Sequence, residues 1–144
     1  MKKLLVVILP LLLIVGCSKP ISEETLIDKD GLYTEWYDNG NKKLEYTYND
    51  GKMDGLRNWW YQNGQKRWEG SYKDGERDGL WTEWYENGQK GIEGTYKDGK
   101  QDGVETYWFV NGQKMKEGTY KDGNEVGKWT YYNKDGSVKE VKEY

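Results

Sequence analysis

The chain has 144 residues, with 25 acidic against 22 basic side chains, a net charge of −3 and no histidine. A nucleic-acid binder is normally basic, so that partner class drops, and the missing histidine removes imidazole bases and imidazole metal ligands. Eight Trp, thirteen Tyr and nineteen Gly stand against one Phe and one Cys, so any core is built from aromatic faces and no disulfide forms within the chain.

The first element is Met1-Lys2-Lys3 followed by an uncharged apolar run from Leu4 to Val15. A spanning helix needs about 20 apolar residues, and Pro10 interrupts this shorter run, which has the length of a signal-peptide core. The stretch Ile14-Val15-Gly16-Cys17 resembles the lipobox of bacterial lipoproteins. The resemblance implies cleavage between Gly16 and Cys17, with the Cys17 thiol carrying a diacylglyceryl group that anchors the protein to a membrane. Ser18, rather than Asp, implies the outer membrane if the host is Gram-negative. Two or three acyl chains hold far better than one, at about 0.8 kcal/mol per buried CH₂. Loss of Lys2 and Lys3 with the signal takes the net charge from −3 to −5, which counts against anionic headgroups as the main ligand. The expected boundaries are a signal over 1–16, a lipidated Cys17 with a polar tether over 17–30, and a folded part over 31–144.

From Gly31 onward the chain repeats every 24 residues. Gly40, Gly64, Gly88, Gly112 and Gly136 keep that step. Gly51, Gly75, Gly99 and Gly123 keep it too, as do Tyr48, Tyr72, Tyr96, Tyr120 and Tyr144. Trp36, Trp60, Trp84 and Trp108 form a further column, closed by Tyr132. Such periods mark arrays in which each unit packs only on its neighbours.

Within the best-formed unit, Gly79 to Asp102, Leu80 to Tyr85 is aromatic and threonine-rich, as a strand should be. Glu86-Asn87-Gly88 is a turn signal, Lys90 to Lys97 is the return strand, and Asp98-Gly99 turns the chain again. A strict two-residue Asn-Gly loop would pair Trp84 with Gly91. A three-residue loop with Gly88 left-handed pairs Trp84 with Lys90 and Thr82 with Ile92, and places Leu80, Trp84, Ile92, Gly94 and Tyr96 on one face. The second is favoured because it collects the apolar residues together. Gly70, Gly94 and Gly118 then leave room for a neighbouring ring to lie over bare backbone.

The run Gly94-Thr-Tyr96-Lys-Asp-Gly99-Lys-Gln-Asp-Gly103 resembles the MORN repeat, and it recurs from Gly70 and from Gly118. The first unit departs, with Tyr46 where the first Gly should stand. The inserted Tyr-x-Asn-Gly-x-Lys resembles the variant repeats of bacterial YwqK-type antitoxins. The resemblance covers Gly31 to Tyr144 and implies an all-β fold: an elongated, open, twisted sheet of antiparallel hairpins in five units, the first and last imperfect.

No catalytic group stands out. Thr34, Thr82, Thr106 and Thr130 have no recurring base, and the Glu45, Glu69, Glu93, Glu117 column reads as a solvated face. The Asp-Gly turns lack the six to eight oxygens of a calcium site. The sequence therefore predicts no enzyme, no cofactor and no metal. The aromatics carry the functional reading. The Trp36, Trp60, Trp84, Trp108, Tyr132 column is assigned to the packed face. Tyr33, Trp59, Trp81, Tyr85, Tyr107, Phe109 and Trp129 are assigned to a binding surface, because Arg57 and Glu105 interrupt the Trp81/Trp129 column in a way a dry core would not tolerate. The expected function is a lipid-anchored, extracytoplasmic module of the cell envelope that binds a protein. An immunity role against an incoming toxin would reconcile the antitoxin resemblance with export. The alternative is binding of cell-wall glycan, which also suits exposed rings.

Overall fold

The computed structural model describes residues 30–144, and every regular element in that range is a β-strand. The expected signal, Cys17 and all of the expected tether but Asp30 lie outside the described residues. The strands are β1 (Gly31–Trp36), β2 (Lys42–Asn49), β3 (Lys52–Met53), β4 (Gly55–Trp60), β5 (Lys66–Lys73), β6 (Glu76–Trp84), β7 (Lys90–Lys97), β8 (Lys100–Gln101), β9 (Gly103–Trp108), β10 (Lys114–Lys121), β11 (Asn124–Tyr132) and β12 (Val138–Glu143). They form one antiparallel sheet in chain order, with the two-residue β3 and β8 hydrogen-bonded to β2 and β7. This is the open hairpin array that the 24-residue step predicts.

Two kinds of turn alternate along it. Asp50, Asp74, Asp98 and Asp122 have φ of 49°, 52°, 47° and 50°, and each is followed by a positive-φ glycine. Two successive left-handed residues make a type I′ turn, whose twist matches the strands it joins. At the other end of each hairpin the loop has three residues. The Gly88 amide donates to the Tyr85 carbonyl at 2.9 Å, the Tyr85 amide donates to Gln89 at 2.8 Å, and Gly88 has φ of 84°. The three-residue loop with left-handed Gly88 is therefore as expected.

The register beyond that loop differs from the expectation. Trp84 does pair with Lys90, but Glu83 pairs with Ile92 and Thr82 with Glu93. Gly91 is an extra residue on β7, a second bulge just past the loop. The same shift follows Glu35 on β1 and Trp59 on β4. One inserted residue exchanges the faces of everything after it. Ile92, Gly94 and Tyr96 consequently share a face with Trp81, not with Leu80 and Trp84.

The sheet is a single layer among the described residues, and its buried apolar side chains are few: Leu44, Trp81 and Trp129. Cohesion along the array comes from contacts repeated between units. The Asn39, Asn63, Asn87 and Asn111 side chains each accept a hydrogen bond from the amide two residues on. Each also donates from Nδ2 to a carbonyl 23 residues on, in the next unit's loop, at 2.8 to 3.2 Å. Tyr37, Tyr61 and Tyr85 add hydroxyl donors to the carbonyls of Trp60, Trp84 and Trp108. One amide thus closes its own turn and ties it to its neighbour, which is why asparagine, with both donor and acceptor, stands there.

Candidate functional site

From Arg57 onward, the middle row of one face alternates bulky and bare positions across the strands. It runs Tyr33, Tyr46, Arg57, Gly70, Trp81, Gly94, Glu105, Gly118, Trp129. Trp81 lies flat over Gly70 and Trp129 over Gly118; a Cβ added to either glycine would sit 2.2 Å or 2.1 Å from the ring. The glycines are beds for the neighbouring indoles, as expected for Gly70 and Gly118. At Gly94 the covering side chain is Glu105, not an aromatic.

This row buries the tryptophans that the sequence reading placed in solvent. Trp81 is 8 % exposed and Trp129 0 %. Trp81 is flanked by Trp68, Tyr72 and Tyr96, with ring centroids 5.3 to 5.9 Å away, and Trp129 by Tyr120 and Tyr144 at 5.1 and 6.5 Å. The interrupting charges are accommodated. Arg57 stacks 4.9 Å above Trp68. Glu105 accepts hydrogen bonds from Tyr107 Oη at 3.0 Å and Gln101 Nε2 at 2.8 Å. Burial raises the Glu105 carboxyl above the usual carboxylate range, against those two donors. Burial and the adjacent Glu105 carboxylate push the Tyr107 hydroxyl well above an ordinary tyrosine.

The other members of the expected binding surface divide. Tyr33 stacks on Tyr46 at 5.4 Å, and Trp59 meets Trp68 edge-on at 5.7 Å beneath Arg67 at 4.9 Å. Both are half-buried on the face of Trp81, as is Tyr107. Tyr85 and Phe109 stand at the loop stems, half-buried. Five of the seven residues therefore share a face, but Trp81 and Trp129 are its packed floor and not its accessible rings.

The opposite face carries what the sequence reading had placed inside. Leu32, Leu56, Leu80 and Val104 stand at equivalent places in four units and are 66, 58, 55 and 64 % exposed. Two strands per unit at about 4.8 Å each set them roughly 10 Å apart. The Trp36, Trp60, Trp84, Trp108 column runs parallel to them, and Trp36 is 58 % exposed. Lysines sit between these rings: Lys42 Nζ is 5.9 Å from Trp36 and 5.6 Å from Trp60. Each lysine pairs with the glutamate three residues on, as in Lys42–Glu45 and Lys66–Glu69, and Lys114–Glu117 at 2.5 Å. Exposed pairs of this kind contribute little stability, but they leave the stripe edged with both signs of charge. The residues missed by sequence reasoning are the leucine stripe and the arginines over rings. Of the stripe, only Leu80 entered the sequence reading, which placed it on the packed face; the 24-residue step of Leu32, Leu56, Leu80 and Val104 is the signal that marks the rest.

Among the described residues no group of three Cys, Asp or Glu side chains converges as metal ligands would. No curated protein matches the chain. The model of the MORN repeat variant matches at residues 29–50, 53–74, 77–98 and 101–122, one match for each of the first four hairpins and more than half of the chain in total. Sequence period, hairpin geometry and these four matches agree, and the chain belongs to the MORN repeat variant family.

Proposed function

We propose that this protein is a lipid-anchored interaction module of the cell envelope, binding a protein partner along the face that carries Leu32, Leu56, Leu80 and Val104. The observation that carries the reading is the exposure of all four at one repeating position, beside a tryptophan column. Contiguous apolar rows of this kind, edged by charge, are what protein interfaces use. The binding face is thus the reverse of the one expected from sequence, because the second bulge exchanges the two faces. The anchor rests on the lipobox-like Ile14 to Cys17, and an immunity role against an incoming protein rests on the likeness to YwqK-type antitoxins.

Crosslinking and capture from intact cells tests the face. Leu56→Asp combined with Leu80→Asp removes the captured partner while the melting temperature is retained. Unchanged capture overturns the assignment, and binding to purified cell-wall glycans in place of protein moves the reading to glycan recognition. Mass spectrometry of the mature N-terminus tests the anchor: an unmodified Cys17 thiol removes it.

A further inference from the structure

The middle row of the Trp81 face departs from the repeat at Tyr46 and Arg57 in the first units and again at Glu105, the one departure that leaves a glycine without a ring over it. Indoles lie over Gly70 and over Gly118, whereas Gly94 is covered only by the shorter stem of Glu105. A cleft of about 380 Å³ opens there, walled by Trp68, Trp81, Ile92, Tyr96 and Tyr107. Its floor is the Glu105 carboxylate, 4 % exposed and fixed by Tyr107 and Gln101. Each carboxylate oxygen has one such partner and retains capacity for a second donor. A tryptophan at this position would pack as at 81 and 129. Burying a carboxylate there costs desolvation that its two hydrogen bonds only partly offset, and departures of that kind concentrate at functional sites.

The charges around the cleft point to the class of ligand. Arg77 lies 4.2 Å above Trp81 and 5.2 Å from Tyr96, and Arg67 lies 4.9 Å above Trp59. Both line the cleft together with Glu83 and Glu105. Lys116 and Glu125, paired at 3.6 Å, also act on the Glu105 carboxyl, so three cations and three anions balance and a ligand of a single charge meets repulsion as well as attraction. A ligand with a cation and an anion joined by an apolar spacer satisfies the floor, the rim and the ring-lined wall together.

We propose that the Glu105 cleft binds a small zwitterion, its primary ammonium on Glu105 and its carboxylate on Arg77, with a short methylene chain against Trp81 and Tyr96. The site is on the face opposite the leucine stripe and stands or falls independently of it. The probe is ε-aminocaproate, titrated calorimetrically into the full chain, with hexylamine and hexanoate as single-charge controls. Glu105→Gln keeps the shape and removes the charge. Glu105→Trp restores the repeat and fills the cleft.

The expected result is binding of ε-aminocaproate by the wild type, weakened about tenfold or more in Glu105→Gln, a loss of roughly 1.4 kcal/mol. Binding is abolished in Glu105→Trp, which melts at a higher temperature than the wild type. No binding by the wild type at millimolar probe overturns the proposal. So does equal affinity for either control, retained affinity in either variant, or a lower melting temperature for Glu105→Trp.

Discussion

Gly118→Ala puts the packing of the tryptophan row to a direct test. The new Cβ would lie 2.1 Å from Trp129 Cδ2 and 2.3 Å from Cε2, against about 3.5–4.0 Å for a relaxed carbon contact. The indole has to rise by roughly 1.5 Å, against the side chains that enclose it. Trp129 is fully enclosed, with Lys116 Nζ 4.7 Å above its ring and Tyr120 edge-on at 5.1 Å. Overpacking costs about 1–3 kcal/mol, and expelling a large aromatic altogether costs about 3–5. Replacing Gly lowers the entropy of the unfolded chain and returns about 0.4–1 kcal/mol. The net expectation is a loss of about 2–3 kcal/mol by urea titration. Gly91→Ala is the control. Its Cβ would make an ordinary 3.4 Å contact with Tyr85, and Lys43, Arg67 and Met115 occupy the same position in other units. It should be neutral or slightly stabilising. In a double-mutant cycle, Gly118→Ala should add almost nothing once Trp129 is Ala, since the clash is gone. Equal losses for Gly118→Ala and Gly91→Ala, or additive losses in the cycle, would refute the ring-over-glycine packing.

Three further outcomes follow from particular contacts. Asn58 is buried in a column otherwise made of threonines, and its Oδ1 has no hydrogen-bond partner; Asn58→Thr should therefore raise stability by about 1 kcal/mol in a urea titration. Asn87→Asp keeps the oxygen that closes its own turn but loses the Nδ2 donor to Val110, and should cost about 0.5–1 kcal/mol; an unchanged midpoint would mean that the asparagine ladder does not couple units. Burial raises the Glu105 carboxyl, so above the ordinary glutamate value the folded chain holds a proton that the unfolded chain has released. Wild-type stability should then fall relative to Glu105→Gln as pH rises through and above the ordinary glutamate value, and a constant gap between the two would show that the burial is without effect.

The repeat, the strand order and the three-residue loop were legible in sequence because each depends on a conformation that few residue types tolerate: φ near 84° at Gly88, and left-handed aspartate followed by glycine at the tight turns. That a ring lies over Gly70 and Gly118 was legible because bare positions recur there, but which ring was not: Trp81 and Trp129 were expected on the other face. The faces were not. The bulge residue is Lys43, Arg67, Gly91, Met115 or Lys139 in successive units, and such a mixture announces neither a turn nor a side. Without that extra residue, hydrophobic patterning puts Leu80 and Trp84 inward with Ile92. The charges misled in the same direction. Arg57 and Glu105 looked incompatible with a packed row, but a guanidinium can lie flat on an indole and a carboxylate can be held by a phenol and an amide. Glu105 itself was visible as a break in the Trp81/Trp129 column, though the cleft it leaves depends on the register.

The central claim is that the Trp81 face is packed and the Trp84 face is open, and paired urea titrations of Trp81→Ala and Trp84→Ala test it most directly. Trp81→Ala should lose about 3–5 kcal/mol, because it removes an indole from beneath Arg77 and from among Trp68, Tyr72 and Tyr96. Trp84→Ala should lose at least about 2 kcal/mol less, since its ring is only half-buried. A larger loss for Trp84→Ala than for Trp81→Ala would contradict the account and return the two faces to their opposite roles.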